Sequence, residues 1–281
     1  MDDTQGPVRG LEQVARFYLS DNQEDRAGLE QHHPSIDTLR TVFVCAPGSP
    51  KMRTFLLANL CLELARNRHP VIIRDHPGDT EPSLEQMMKA LPTRHTPEGL
   101  LKVCLYGLPD ILIKAGDSAG QRLPSRGEEP SAGIPGTGSE WFSLVGLSGS
   151  IERLKGMGQG SKVTLMSRDD PMSLLRCYAC IHVLATSVPD LYVSLILHGV
   201  GDPPTMLRRS QLFSEIVSRK CGVRPRYLGS FVPDAWLEHS INEGKPLVLF
   251  HEASPAREQM ITIADQFLLW FREDHSEARV P

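Results

Sequence analysis

The residues best suited to chemistry lie in the stretch "TVFVCAPGSPKMRTFLLANLCLELARNRHPVIIRDH", Thr41 to His76. Gly48, Lys51, Arg53 and Thr54 fall in a short Gly/Pro loop and the start of the helix that follows it, and Asp75 ends the next apolar run. An apolar strand, a glycine-containing loop, a helix and a second strand ending in a carboxylate form a unit suited to holding phosphates. Backbone N–H groups at a helix N-terminus face the anion, and cationic side chains assist them. Here the unit is damaged. Pro50 removes one N–H from the loop, and glycines are few. The remaining reactive residues point nowhere specific. Cys177 and Cys180 form a C-x-x-C inside "LLRCYACIHVLA", whose helical periodicity and lack of a second Cys/His pair favour core packing over metal or redox work. The ten histidines show no ligand spacing, so no metal site is expected from them.

The elements that must position these residues follow a regular alternation. Beyond "TVFVCA" and "MRTFLLANLCLELARN" come the strand "HPVIIRD", the helix "SLEQMMKAL" and two strand-like segments, "GLLKVCLYG" and "DILIKAG". After these the pattern reads strand "WFSLVGL", strand "KVTLMS" and helix "DPMSLLRCYACIHVLAT", opened by Asp169/Asp170 and Pro171. Then follow strand "LYVSLILHGV", helix "TMLRRSQLFSEIVSRKCG", strand "RYLGSFV", helix "DAWLEHSINEG" and a long closing helix. This alternation predicts an α/β fold, a doubly wound and mostly parallel sheet with helices on both faces. Ligands in such sheets sit outside the carboxyl ends of the strands, which is where the Cys45–Thr54 loop falls.

Two segments stand apart. Residues 1–39 read as an N-terminal helical arm and linker, in which Leu11, Val14, Ala15, Tyr18 and Leu19 share one side. Residues 40–281 form the α/β domain, interrupted at about 116–138 by a Gly/Pro/Ser-rich run that predicts a flexible surface insertion. A net charge of -4 argues against non-specific nucleic-acid binding. No apolar run reaches membrane-spanning length, and "MDDTQGPVRG" is unlike a secretory signal. The expected setting is cytoplasmic, with reduced thiols. "REDHSEARVP" at the end carries mixed charge, which argues against direct membrane contact.

From Thr41 to about Phe271 the chain resembles the MinD/ParA class of P-loop ATPases, and most closely the FlhG-like regulators of flagellar number. "DDPMSLLRCYACIHVLA" is similar to the family's proline-started helix with a D-A-Y-A-like core, and "YLGSFVPDAWLEHSINEGKPLVLFHEASPAREQMITIADQF" to its final segments. Ala58-Asn59-Leu60 matches the A-N-L of the family's "S-G-K-G-G-V-G-K-T-T-x-x-A-N-L" and sets the register over Ala46–Thr54. In that register the phosphate-binding lysine position holds Arg53, the glycine before it is Met52 and another is Pro50. The family's signature lysine falls at Gly48. Thr54 keeps the Mg²⁺-ligand position, and Asp75 the catalytic aspartate. The second acidic position of that region is Pro77. The Walker B aspartate, which helps organise Mg²⁺, falls on Gly146. His198 replaces an asparagine associated with adenine recognition.

Losses in three separate elements imply a pseudo-ATPase that kept the fold and works through protein partners, with no cofactor required. The resemblance points to the placement or number of flagella or another polar assembly, with an ATPase paralogue or an assembly GTPase as partner and recruitment by it to a cell pole or membrane assembly. The alternative is a divergent ATPase binding ATP or ADP with Mg²⁺ through Gly48, Lys51, Arg53 and Thr54, using Asp75, and switching between monomer and dimer. An ATPase-like accessory factor for polysaccharide secretion or pilus assembly is a third reading. A helical arm that binds a partner and one that docks on its own domain are equally compatible with residues 1–39.

Overall fold

The computed structural model describes residues 39–75, 83–97, 99–115, 141–147, 157–199, 201–247 and 254–273. The predicted helix within residues 1–38, the predicted insertion at 116–138, Pro77 and the C-terminal tail lie outside the described residues. In chain order the elements are β1 (Leu39–Cys45), α1 (Pro50–Arg66), β2 (Val71–Asp75), α2 (Leu84–Met88), β3 (Thr93–His95), β4 (Leu101–Val103) and β5 (Ile111–Ala115). After them come β6 (Trp141–Gly146), β7 (Lys162–Arg168), α3 (Pro171–Ser187), β8 (Tyr192–His198), α4 (Pro203–Cys221), β9 (Arg226–Phe231), α5 (Ala235–Glu243) and α6 (Pro255–Arg272).

The strands form one sheet in the order β3-β4-β5-β2-β6-β1-β7-β8-β9. Every pairing from β5 through β9 is parallel; β3 with β4 and β4 with β5 are antiparallel. The doubly wound, mostly parallel expectation holds. The antiparallel edge is an addition, because "TRH" was not read as a strand and depends on β4 for its pairing.

Helices cover both sides of the sheet. One core joins Val42, Val44, Ile73 and Leu144 of the sheet to α1, α2, α5 and α6; the other joins Phe43, Cys45, Val145, Leu165 and Leu195 to α3 and α4. Period-two alternation along each strand divides neighbouring residues between the two cores. Helix α1 lies between the sheet and its neighbours on that side, so Met52 through Ala65 are all buried. That explains why its sequence reads as apolar almost all round. Cys177 and Cys180 face the second core as predicted. Burial pushes the Cys177 thiol up to about 12.

Several helix starts are set locally. Asp170 accepts from Ser173 N–H at 2.9 Å ahead of Pro171, and Asp202 from Thr205 N–H at 2.8 Å ahead of Pro203. Asp234, read from the sequence as a helix N-cap, accepts from Trp236 N–H at 2.9 Å. It also takes the Ser254 hydroxyl and, at 3.3 Å, the Ala256 N–H, so one carboxylate serves the starts of α5 and α6. Among the described residues no helix is long and apolar enough to cross a membrane.

Candidate functional site

The carboxyl ends of β2, β6 and β1 lie side by side, with Asp75, Gly146 and Val44 in one register row. Chain order separates these residues widely; strand order makes them neighbours.

At the end of β1 the chain turns sharply. Ser49 N–H donates to Ala46 C=O at 3.0 Å, and Gly48 sits at φ +81°. Proline at the second position and a left-handed glycine at the third are the pattern of a type II β-turn. Helix α1 then begins at Pro50. The residues aligned with the family's phosphate loop therefore divide: 46–49 form a closed turn, and 50–54 are already helix. A side chain at position 48 would run into the Arg176 guanidinium from α3, whose Cζ lies 3.2 Å from the place of a Cβ.

The first turn of α1 sends its side chains three ways. Lys51 is exposed. Thr54 is fully buried, and its hydroxyl donates back to Pro50 C=O at 3.4 Å. Arg53, only 2% exposed, reaches over the end of β6 to Asp75, with Nη2 3.3 Å from Oδ1. The two atoms face each other as an ion pair without hydrogen-bond alignment, and Arg53 Nε has no hydrogen-bond partner either. Burial lifts the Asp75 pKa above the ordinary carboxylate value; Arg53 and the Leu84 amide pull it back without cancelling the rise.

Gly146 makes this arrangement possible. A Cβ there would lie 2.7 Å from Asp75 Oδ1, 2.8 Å from Leu57 Cδ1 and 3.5 Å from Arg53 Nε. The position aligned with the Walker B aspartate thus has no room for any side chain while Arg53 and Asp75 are paired. His198, at the end of β8, stands further along the sheet, opposite Arg168 in register. Burial is the main cause holding its pKa below the usual histidine value, and Arg168 adds to it; Phe231 C=O, Glu238 and Asp169 act the other way.

Of the sequence-picked residues, the fold brings Arg53 and Asp75 together, places Gly48 in the adjoining turn, leaves Lys51 outside and commits Thr54 to its own helix. Lys51 and Arg53 both read from the sequence as phosphate-loop cations; the one paired with the Asp75 carboxylate is Arg53. Sequence reasoning did not find Arg176 against Gly48, a contact from a distant part of the chain. Among the described residues no cluster of His, Cys, Asp or Glu is arranged to hold a metal ion.

Neither a protein-family model nor a curated protein sequence matches the chain. Solved structures do. The septum site-determining protein MinD of Pyrococcus horikoshii, complexed with Mg-ADP, superposes with a TM-score of 0.57 at 15% identity, covering 86% of this chain and 99% of that one. The Pyrococcus furiosus cell division ATPase MinD gives 0.56 at 11%, covering 82% and 98%. MinD in the MinC:MinD cell division protein complex of Aquifex aeolicus gives 0.54 at 16%, covering 82% and 96%. The fold is that of the MinD ATPases. At these identities the likeness speaks for the MinD-type architecture alone, and the site has to be argued from its own residues.

Proposed function

We propose that this chain is a pseudo-ATPase: a MinD-type fold that has lost nucleotide turnover and acts by binding other proteins. One observation carries the reading. The Arg53–Asp75 ion pair, closed over Gly146, occupies the place where a working site would hold phosphate charge and organise Mg²⁺. The surrounding residues do not fit Mg-nucleotide. The turn at 46–49 already binds its own carbonyl, Pro50 has no N–H to offer, and the Thr54 hydroxyl is turned back on the helix. Phosphoryl transfer depends on positioning and charge stabilisation, so losing several parts together removes it.

Partner binding follows as the remaining use of such a fold, and one MinD neighbour is solved in complex with MinC. With the FlhG-like motifs, this favours a cytoplasmic regulator of the placement or number of flagella or another polar assembly. Its partner would be an ATPase paralogue or an assembly GTPase, which recruits it to its site of action.

Titration calorimetry of the whole protein with ATP and ADP, with and without Mg²⁺, tests the reading. The expected result is no binding heat and no thermal stabilisation at millimolar nucleotide. Micromolar binding that disappears in a folded Asp75→Asn variant would overturn it in favour of a divergent ATPase.

A further inference from the structure

One part of the sheet has little apolar cover among the described elements. Alternation sends Ile72 of β2, Leu112 of β5 and Trp141 of β6 to the side opposite α1. They are buried, at 1%, 3% and 2% exposure, yet among the described apolar residues outside this cluster only Leu100 packs against them. Helices α3 and α4 cover the same side further along, in the core built on β1, β7 and β8. Trp141 Nε1, Ser143 Oγ and Arg74 Nε are also buried there without hydrogen-bond partners. Apolar side chains and unpaired polar atoms so placed call for a cover that is apolar along its length and carries acceptors at its margin.

We propose that this face is a docking surface for the chain's own N-terminal segment, residues 11–20. Three observations select it. Strand β1 begins at Leu39, in register with Trp141, so the preceding chain joins the sheet at the level of this patch. The 18 residues 21–38 span up to roughly 60 Å when extended, ample for a return across the neighbouring strands. Leu11, Val14, Ala15, Tyr18 and Leu19 recur at helical spacing as one stripe, long enough to lie over Trp141, Ile72 and Leu112. Residues 1–38 also hold eight Asp/Glu against three Arg, which complements Arg74 and its register neighbour Lys114. The competing occupant is the β5–β6 connection, residues 116–140, which a right-handed crossover would carry over the same side. Its only large apolar residues are Leu123 and Ile134, too few for the task.

Hydrogen exchange of the full chain, read by mass spectrometry beside bis-ANS fluorescence, tests this. Peptides within 11–20 are expected to exchange at least about tenfold more slowly than an unstructured chain, independently of protein concentration. Val14→Asp/Tyr18→Asp should abolish that protection and raise bis-ANS emission, while Leu123→Asp/Ile134→Asp should change neither. Three results would overturn the proposal: an unprotected 11–20 segment, protection that rises with concentration, or a response confined to the Leu123/Ile134 variant.

Discussion

Helices α1 and α3 both follow a parallel strand and both begin with proline, yet their starts are built differently. Asp170 closes the start of α3 with its own side chain. Ser49 makes no such bond at α1, where the first turn instead buries an arginine against Asp75. Helix α3 is self-contained and half exposed. Helix α1 is buried from Met52 to Ala65, and its first turn is held by charge from another strand. The contrast shows two ways of finishing a helix start: a local cap at α3, and at α1 a buried ion pair that reaches across from β2.

The largest effect should come from breaking the pair. Arg53→Met alone leaves Asp75 buried without its cation and should cost about 4 kcal/mol, measured by urea denaturation. Adding Asp75→Leu should recover most of that loss, since a buried pair exchanged for apolar residues is often neutral. A double variant as unstable as the single one would show that the pair contributes more than mutual neutralisation. Next, Gly146→Asp restores the Walker B residue type but forces Leu57 and the ion pair apart, for a loss of about 3 kcal/mol and no gain of Mg²⁺ binding. The start of α1 can also be set against the α5/α6 junction. Asp234→Ala removes a shared cap and should cost about 2 kcal/mol, whereas Ser49→Ala, with no cap bond to lose, should stay within about 0.5 kcal/mol.

The smallest expected effect is a pH slope. The folded His198 pKa lies below the unfolded value, so the unfolded state takes up the proton first as pH falls. Its contribution is intact above the unfolded pKa of 6.5 and is lost as pH drops from there towards the folded value. His198→Gln should flatten the stability profile in that window. Asp75 has the opposite sign: its raised folded pKa makes stability fall as pH rises from 3.8 through that value.

Much of the fold was legible because local signals agreed with it. Alternating apolar strands and periodic helices gave the parallel architecture, while Asp170 ahead of Pro171 and Asp234 after Pro233 marked helix starts. Residues Ala58-Asn59-Leu60 located the altered loop. The antiparallel edge was not legible. Strand β4 reads as strand-like within "GLLKVCLYG", but the three-residue β3 carries no pattern of its own and exists through pairing with β4, and the direction of both pairings is set only in the sheet.

For the site, the sequence by itself determined the residue types, Arg53, Thr54, Asp75 and Gly146, and through the resemblance implied the loss of a lysine, loop glycines and a Walker B aspartate. Only the tertiary structure decided how these residues meet. Arg53 and Asp75 are separated by an entire helix, and Gly146 joins them through the β2–β6 and β1–β6 pairings alone. Lys51 and Arg53 are near equivalents as cations in the sequence. Two residues along the helix, over half a turn, send one to solvent and the other over the carboxyl end of β6, and the energetic difference between a hydrated charge and a buried, paired one lies in that direction.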